Sequence, residues 1–315
     1  RLVEDKAAKT RRIYFTPEAA EPFSDVLLGN LFDVGEQRLK NMDAAGVDVQ
    51  VLTLTAPGVE AFDPVVGTAL ARRSNDVLAE IIGKSPDRFS GYAALAPKDP
   101  EAAAGELERA VKELGLKGWK THSNYGDSYI DEKRYWSVLA KAEELDVPIY
   151  LHPTAPMITQ LTTYGFALGG APFGFGVETS MVMMRMLLSG VFDQFPKLKV
   201  ILGHLGEGLP FVLQRIDFPF VRPHFKKDPG VLPEIKRRPS EYLKENMFVT
   251  TSGNYLEPAF MCTKEALGLD RILLGTDYPY EDSGECMSFL EGLPLSQEER
   301  DRVYGANASQ VGMII

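Results

Sequence analysis

Seven short runs of mainly apolar residues recur along the chain, and polar or amphipathic stretches separate them. The apolar positions within each run are largely continuous instead of alternating with polar ones, which is typical of strands buried on both faces. The pattern therefore predicts seven buried strands, at residues 49–55, 89–95, 118–122, 148–153, 199–206, 248–252 and 272–279.

Amphipathic stretches that predict helices lie between these strands. The helix predicted over 35–46 ends at Gly46, a residue that favours the left-handed backbone of a helix end. The stretch 100–114 follows an Asp-Pro start, and 131–145 opens with two acidic residues at the positive end of the helix dipole. Repeated strand–helix units of this kind indicate a parallel sheet with right-handed crossovers.

This alternation predicts a single α/β domain over residues 1–315 with the (β/α)8 TIM-barrel fold. Seven strands are one fewer than the barrel requires, so we expect that the first barrel strand is absent from this chain. An open doubly wound sheet is the alternative, but no glycine-rich turn follows the first predicted strand. Residues 219–239 are proline-rich and basic, and predict an insertion that covers the barrel mouth, contacts another subunit or forms a solvated surface loop.

Composition narrows the range of partners and compartments. The 315 residues carry a net charge of −10, which argues against nucleic acid or an anionic membrane as a partner. The sequence has no apolar run long enough for a transmembrane helix, no recognisable signal peptide, and only two cysteines, Cys262 and Cys286. We therefore expect a cytoplasmic protein. The chain begins at Arg1 and not at Met, which favours a sequence that lacks its natural N-terminus.

Ionisable side chains occur at the ends of several predicted strands, the edge where an α/β barrel has its active site. Three of the four histidines lie there, His122, His152 and His204, and Asp277 lies near the end of the last strand. Imidazole nitrogens and carboxylate oxygens suit Zn²⁺, Mn²⁺ or Fe²⁺. We predict one divalent metal, Zn or Mn, with His152 and Asp277 as ligands.

The segment from His204 to Glu207 predicts acid–base chemistry. Glu207 follows His204 by three residues, where its carboxylate would orient the imidazole and raise its basicity. A carboxylate that stabilises the first turn of a helix is a compatible interpretation of Glu207. Arg215, eight residues further on, is a candidate to hold a substrate carboxylate by paired hydrogen bonds, although a surface salt bridge is the usual role of such an arginine.

Other candidates are less specific. His122 and Lys120 are two residues apart and thus share one face of their strand; a carboxylated Lys120 that bridges two metals is a minor alternative. Phe173 and Phe175 precede the methionine-rich stretch 181–188. We predict that the two phenylalanines line an aromatic pocket and that the methionines pack in the core.

Several longer segments are similar to a known family. They resemble the amidohydrolase-2 branch of the amidohydrolase superfamily, and within it the decarboxylases of γ-resorcylate, 2,3-dihydroxybenzoate and 5-carboxyvanillate. The 2-amino-3-carboxymuconate-6-semialdehyde decarboxylases are a more distant likeness. The resemblance extends from about residue 30 to the C-terminus and includes 41–59, 86–95, 145–153, 173–180, 195–211 (FPKLKVILGHLGEGLPF), 249–254 and 270–281 (DRILLGTDYPYE).

This resemblance implies a barrel enzyme that uses a metal to remove CO₂, without oxidation, from a hydroxylated aromatic or related unsaturated carboxylic acid. It implies His152 and Asp277 as metal ligands, with Asp277 also handling the proton. It further implies His204 as the catalytic histidine, supported by Glu207, and matches Arg215 to the arginine that holds the substrate carboxylate. A homodimer or homotetramer is also implied.

Two departures from the family pattern bear on these expectations. The family carries a Glu-x-His or Glu-x-x motif on its first barrel strand, and this chain has none that matches. In addition, His122 stands where the aromatic-acid decarboxylases tend to carry Asn, so we expect an altered substrate preference. His122, Arg215 and Phe175 are the predicted substrate-binding residues.

Two other functions stay open at this point. On the same scaffold, a metal-activated water with His204 as general base would make a hydrolase or hydratase. The missing first-strand ligand would also suit a metal-free barrel that binds a small molecule without chemistry.

Overall fold

The structure is a computed structural model that describes residues 2–5, 10–14, 20–226, 230 and 232–314. Near its start lie three short strands, β1 (Leu2–Asp5), β2 (Thr10–Tyr14) and β3 (Ala20–Phe23). They pair in this order as an antiparallel sheet of their own. This sheet is separate from the strands that carry the candidate site.

The remaining strands form the wall of a barrel. They are β4 (Gln50–Leu52), β5 (Phe89–Gly91), β6 (Ala93–Ala94), β7 (Trp119–His122), β8 (Ile149–His152), β9 (Val200–Leu202), β10 (Met247–Thr250) and β11 (Ile272–Leu273). Every pair among them is parallel, and each strand lies beside its neighbour in the chain. All seven predicted strands are thus confirmed, although several are shorter than predicted.

One predicted strand, 89–95, is split into β5 and β6 by Tyr92. The Tyr92 amide donates a hydrogen bond to the Leu52 carbonyl at 3.1 Å, while Ala93 pairs with Trp119 on the other side. The same stretch therefore pairs with β4 through one half and with β7 through the other. This links the two sheets into one continuous parallel wall.

Side chains close the wall between β11 and β4, where the described residues contain no further strand. The Asn41 amide donates to the Tyr278 hydroxyl at 2.7 Å, and the Thr55 and Tyr280 hydroxyls are 3.0 Å apart. The guanidinium of Arg38 lies 4.9 Å from the centre of the Tyr278 ring. The fold is the predicted α/β barrel, with seven of the eight strands in the described residues.

Helices cover the outside of this wall. They are α1 (Asp25–Phe32), α2 (Glu36–Ala45), α3 (Pro64–Lys84), α4 (Pro100–Lys112), α5 (Trp136–Glu144), α6 (Phe166–Gly169), α7 (Gly174–Leu188), α8 (Val191–Gln194), α9 (Leu209–Val221), α10 (Pro223–Lys226), α11 (Pro239–Asn246), α12 (Glu257–Leu267), α13 (Ser283–Gly292), α14 (Gln297–Asp301) and α15 (Asn307–Gln310). Single 3₁₀ turns occur at Lys133–Tyr135, Thr159–Thr162, His204–Gly206 and Leu269–Arg271, and a π-helical turn at Arg302–Ala306.

Local signals explain where the predicted helices begin and end. The Asp99 side chain accepts a hydrogen bond from the Ala102 amide and caps α4, and Gly46 ends α2 with a left-handed φ of 69°. The predicted helix 131–145 is shorter: its acidic start stays extended, a 3₁₀ turn follows, and α5 begins only at Trp136. No helix in the described part of the chain is long and apolar enough to cross a membrane.

Two apolar layers hold the barrel together. Outward-facing strand residues such as Trp119 and Leu151 are buried against the helices, and Met183 and Met186 of α7 pack there, as predicted. Inward-facing residues at the other end of the strands, including Ile201, pack against residues from the C-terminal segment. The C-terminal ends of the strands are therefore the polar end of the barrel.

The proline-rich segment 219–239, predicted as an insertion, contains both helical and irregular residues. Its start belongs to α9, which contains Pro219, and to α10, which begins at Pro223; a proline at the first position of a helix lacks only an amide proton that would be unpaired there. Residues 230 and 232–238 are irregular, and Pro239 already begins α11. The Asp217 carboxylate accepts hydrogen bonds from the amide and hydroxyl of Ser240, and these bonds connect α9 to the start of α11.

Candidate active site

The C-terminal ends of the barrel strands bring together most of the residues that the sequence singled out. His122 ends β7 and His152 ends β8, with their ring centres 5.7 Å apart. His204 and Glu207 follow β9, and Asp277 follows β11. Nε2 of His204 lies 4.0 Å from Oε1 of Glu207. The structure therefore places these polar side chains at the expected edge of the barrel, a region called the cleft below.

His152 is held as a neutral imidazole with one free nitrogen. Its Nδ1 donates to the Pro153 carbonyl at 2.7 Å, so the lone pair lies on Nε2. Burial, together with the neighbouring charges of Lys120 and His122, lowers the pKa of His152 well below its ordinary value. A neutral imidazole fixed through its other nitrogen is the form in which histidine binds a metal.

A turn with an unusual backbone positions His204. The φ angles of His204, Leu205 and Glu207 are 50°, 57° and 54°, in the left-handed region that non-glycine residues rarely adopt. Nδ1 of His204 donates to the Ser252 carbonyl at 2.9 Å, which leaves Nε2 directed toward Glu207. At Gly253 a Cβ would lie 2.8 Å from Nδ1 of His204, so this contact requires glycine.

The carboxyl of Glu207 is buried without a full set of hydrogen bonds. Oε1 has no hydrogen-bond partner among the described residues, and a Cβ at Gly176 would lie 2.5 Å from Oε2. Burial raises the pKa of Glu207 to about 7, although the charge of His204 opposes the rise. Glu207 is therefore able to hold a proton near neutral pH.

Asp277 resembles Glu207 in its backbone conformation and in the pKa of its carboxyl group. Its φ is 57°, and burial, with a smaller contribution from Glu281, raises its pKa to about 6, while His204 opposes the rise. A carboxylate in such a place is stabilised by a nearby cation. Asp277 thus combines a strained backbone with a carboxyl group that has no hydrogen-bonded or ion-paired partner among the described residues.

Glu60, His122 and Lys120 form a hydrogen-bonded row on the other side of the cleft, here called the β7 row. Nζ of Lys120 lies 2.5 Å from Nε2 of His122, and Nδ1 of His122 lies 2.9 Å from Oε1 of Glu60. All three side chains are buried. Burial lowers the pKa of Lys120 to about 7 and also lowers that of His122, and the two bases hold the pKa of Glu60 below its usual range despite its burial.

The donor set fits a divalent metal in part. His152 offers Nε2 and Asp277 offers a carboxylate that lacks a balancing charge, which are suitable ligands for Zn²⁺ or Mn²⁺. Within the residues that the structure describes, no three metal-binding side chains of His, Cys, Asp or Glu converge on one point. The two residues therefore supply part of a coordination sphere and leave positions for water or substrate.

Two predicted substrate-binding residues lie apart from these contacts. Arg215 is exposed on α9, with its guanidinium 4.6 Å from the centre of the Phe218 ring. Phe175, on α7, packs edge-to-face on Phe166 with ring centres 6.1 Å apart, and Phe173 is exposed.

Sequence reasoning missed Glu60, Tyr150 and Ser252. Tyr150 and Ser252 could have been found, because they lie on strands whose ends carry the site; burial and the charge of Asp277 raise the pKa of the Tyr150 hydroxyl. Glu60 had a weaker signal. It follows the turn at Gly58, where a Cβ would lie 2.2 Å from Oε2 of Glu60, and only the folded loop brings it to His122.

A family model described as Amidohydrolase matches residues 33–311. A γ-resorcylate decarboxylase from Polaromonas sp. (strain JS666) is 39% identical over 294 residues, which cover 90% of this chain and 89% of that protein.

Solved structures give a similar result. The 5-carboxyvanillate decarboxylase of Sphingomonas paucimobilis is 38% identical and has a TM-score of 0.88, with coverage of 94% of this chain and 88% of the other. A dihydroxybenzoic acid decarboxylase from Polaromonas sp. JS666, solved with manganese and the inhibitor 2-nitroresorcinol, is 38% identical with a TM-score of 0.84. That match covers 91% of this chain and 88% of the other.

Proposed function

The chain belongs to the amidohydrolase family, and on that basis we propose that it is a metal-dependent, non-oxidative decarboxylase of a hydroxylated aromatic carboxylic acid. The family that the sequence segments predicted is thereby confirmed. The observation that carries the proposal is the position of His152, His204 and Asp277, each at or just beyond the C-terminal end of a barrel strand, in a chain whose relatives are decarboxylases of such acids.

His152 and Asp277 are the residues that would hold the metal, for which we propose manganese or zinc. A divalent metal there would supply Lewis-acid binding of the substrate carboxylate and of an adjacent hydroxyl oxygen. The hydrogen bond from His152 to Pro153 keeps the ligand nitrogen in its basic form.

Asp277 is the proposed proton donor to the ring. Its carboxyl gives a proton to the ring carbon that bears the carboxylate. The bond between that carbon and the carboxylate then breaks, its electron pair restores the aromatic ring, and CO₂ leaves. One proton thus replaces one CO₂, and the Asp277 carboxylate has to recover a proton, for which the neighbouring His204 and Glu207 are suited by position and by the raised pKa of Glu207.

Three further assignments complete the proposal. Arg215, His122 and Phe175 remain the proposed substrate-binding residues, on the family resemblance. A homodimer or homotetramer in the cytoplasm is the proposed state of the protein. The exposed position of Arg215 next to the 219–239 segment makes that side of the molecule the place to look for a subunit contact.

The test is CO₂ release from a panel of phenolic acids by the manganese-loaded protein. The panel contains 2,6-dihydroxybenzoate, 2,3-dihydroxybenzoate and 5-carboxyvanillate, and the product is followed as labelled CO₂ together with the decarboxylated phenol. We expect turnover of at least one acid, loss of turnover on chelation, and recovery when metal is restored. No CO₂ from any phenolic acid, with hydrolysis of an ester or amide instead, would contradict the proposal and favour a hydrolase.

A further inference from the structure

The loop that follows β8, residues 153–157, carries the carbonyl group that orients the ring of His152. Nδ1 of His152 donates to the Pro153 carbonyl at 2.7 Å, so whatever fixes this carbonyl also fixes the direction of Nε2. The carbonyl belongs to the same peptide group as the amide of Thr154. Because a peptide group is planar, its C=O and N–H turn together. The hydrogen bond that the Thr154 amide makes therefore helps to determine where the ring of His152 points.

Ser123 accepts that hydrogen bond. The Thr154 amide donates to Oγ of Ser123 at 3.2 Å. Ser123 directly follows His122, the last residue of β7, which is paired in register with His152. Ser123 is fully buried, so water competes little for its hydroxyl. Two hydrogen bonds thus connect the Ser123 hydroxyl to the His152 ring through a single peptide group.

Asn124 holds the next part of the same loop. Its side-chain amide donates to the Ala155 carbonyl at 3.0 Å and to Oε1 of Glu178 at 2.9 Å. Glu178 lies on α7 and is fully buried, and the same oxygen accepts the Met157 amide at 3.5 Å. Both amide protons of Asn124 are therefore engaged, and the loop 153–157 is tied to the end of β7 and to α7.

We propose that Ser123 and Asn124 are positioning residues for His152, which hold the loop so that Nδ1 keeps the proton and Nε2 stays free to bind the metal. The proposal rests on the proposed function, in which His152 is a metal ligand. Both residues act through the loop and not on the metal itself. Loss of the groups that orient a metal-binding histidine through its other ring nitrogen typically weakens metal binding about 10- to 100-fold.

The competing explanation is that Ser123 and Asn124 only fasten the loop and contribute to stability. Loss of such a fastening would lower the free energy of unfolding, but the tautomer of His152 and the dissociation constant of the metal would not change. Both explanations predict a less stable variant, because each substitution leaves a partly buried backbone group without its partner. The deciding measurements therefore have to report on the His152 ring.

The experiment compares Ser123→Ala with the matched variant Ser128→Ala. Ser128 is also buried and also follows β7, but its hydroxyl bonds to the Tyr135 hydroxyl at 2.7 Å and not to the loop 153–157. The tautomer is determined by NMR in the metal-free protein, from the imidazole nitrogen shifts of isotope-labelled histidine. The signals of His152 are identified by their loss in His152→Ala. We expect the proton on Nδ1 in wild type and in Ser128→Ala, and a mixture of both tautomers in Ser123→Ala.

Metal affinity is the second readout. The dissociation constant for Mn²⁺ is measured from the electron paramagnetic resonance signal of the free ion. It should rise about tenfold in Ser123→Ala and change by less than about twofold in Ser128→Ala. Ser123→Thr retains the hydroxyl and should restore both the tautomer and the affinity.

Two outcomes overturn the proposal. The first is a Ser123→Ala variant in which His152 keeps the wild-type tautomer. The second is a Ser123→Ala variant that binds Mn²⁺ as tightly as a wild-type protein that retains the ion. A shifted tautomer in Ser123→Ala, together with a wild-type protein that binds no metal, would leave the positioning of His152 standing and contradict the metal-dependent function instead.

If Ser123→Ala does not fold, Asn124→Ala decides the question. A folded Asn124→Ala variant with the wild-type tautomer and affinity overturns the proposal. Asn75→Ala is its control, because Asn75 donates in the same way to a backbone carbonyl, that of Ala94 at 3.0 Å, and to a buried carboxylate, Oε1 of Glu106 at 2.8 Å. This control should leave the tautomer of His152 unchanged.

Discussion

The two sides of the cleft balance their charges in different ways. On one side, the β7 row connects Lys120, His122 and Glu60 by short hydrogen bonds, so that each ionised group has a partner. On the other side, Glu207 and the partly buried Asp277 have carboxyls whose pKa values are raised to about 7 and about 6, because desolvation outweighs the opposing effect of His204. The paired side is suited to binding, and the unpaired side is suited to holding a metal and moving protons.

The backbone conformation also differs between the two sides of the cleft. His122 and Lys120 lie in the regular strand β7, whereas His204, Glu207 and Asp277 lie in turns with positive φ. Each such residue destabilises the fold by about 1–3 kcal/mol unless the surroundings compensate. The hydrogen-bonded β7 row and the proposed metal ligand His152 are therefore on regular strands, whereas the proposed acid–base residues His204, Glu207 and Asp277 are on strained turns just beyond a strand.

The largest effect is expected when a proposed metal ligand on the unpaired side is removed. His152→Ala or Asp277→Asn should abolish both metal retention and CO₂ release, because each deletes one of the two proposed metal ligands. Metal per chain is measured after dialysis by elemental analysis, and turnover by labelled CO₂. His224→Ala is the control, since His224 packs on Phe225 in α10, outside the cleft. A variant of His152 with full activity would refute the assignment.

The next largest effect is expected when the negative charge of the β7 row is removed. Glu60→Gln should destabilise the fold at neutral pH by about 2–4 kcal/mol, because it leaves a buried ammonium and imidazole without their counter-charge. The pKa of Glu60 is lowered in the folded state, so its contribution is present at neutral pH and is lost as the pH falls through that lowered value. Urea unfolding at several pH values measures this.

A matched substitution separates this effect from a general loss of charge. Glu36→Gln removes a carboxylate that pairs with Lys40 on the exposed face of α2, where 84% of the Glu36 side chain is accessible. It should leave the free energy of unfolding almost unchanged. Equal destabilisation by the two substitutions would mean that the β7 row is not a coupled unit.

Sequence patterns were sufficient to predict the strands and the polar residues at their ends, and the reason is physical. A buried parallel strand needs a continuous apolar run, and the polar residue that ends the run has to lie at the mouth of the barrel. His152 and Asp277 could be predicted in this way. Glu60 could not, because it reaches His122 through a loop whose path depends on Gly58 and not on any periodic pattern.

The sequence could not predict which side of its helix faces the cleft, and therefore could not predict where the Arg215 side chain points. An arginine within α9 can face the cleft, the solvent or another subunit, and the apolar spacing of this helix does not distinguish these. The turn at His204 is a second limit, since its left-handed φ angles follow from contacts with Ser252 and Gly253 that lie about fifty residues away in the chain. Long-range contacts of this kind override local preference.

A smaller effect is expected when the charge of the buried Glu207 carboxyl is removed in the metal-free protein. Its folded pKa is raised, so its contribution to stability is greatest below the unfolded value near 4.5 and declines as the pH rises toward about 7. Glu207→Gln should therefore stabilise the fold by about 2–3 kcal/mol at pH values above 7, and by almost nothing at acid pH. Thermal or urea unfolding measures the difference. A glutamine variant that is less stable at alkaline than at acid pH, relative to wild type, would contradict the buried-acid interpretation.

The smallest expected effect concerns Arg215, which joins neither side of the cleft in its described contacts. If it holds the substrate carboxylate, Arg215→Ala should raise KM about three- to tenfold with little change in kcat, because an exposed guanidinium contributes mainly uniform binding. The increase should shrink at high salt, as expected for a screened charge. Arg222→Ala is the control, since the Arg222 guanidinium also lies over the Phe218 ring, at 5.2 Å, and the substitution removes the same charge at the C-terminal end of the same helix. An unchanged KM in Arg215→Ala, or an equal rise in both variants, would remove Arg215 from the site and leave substrate recognition to the paired side alone.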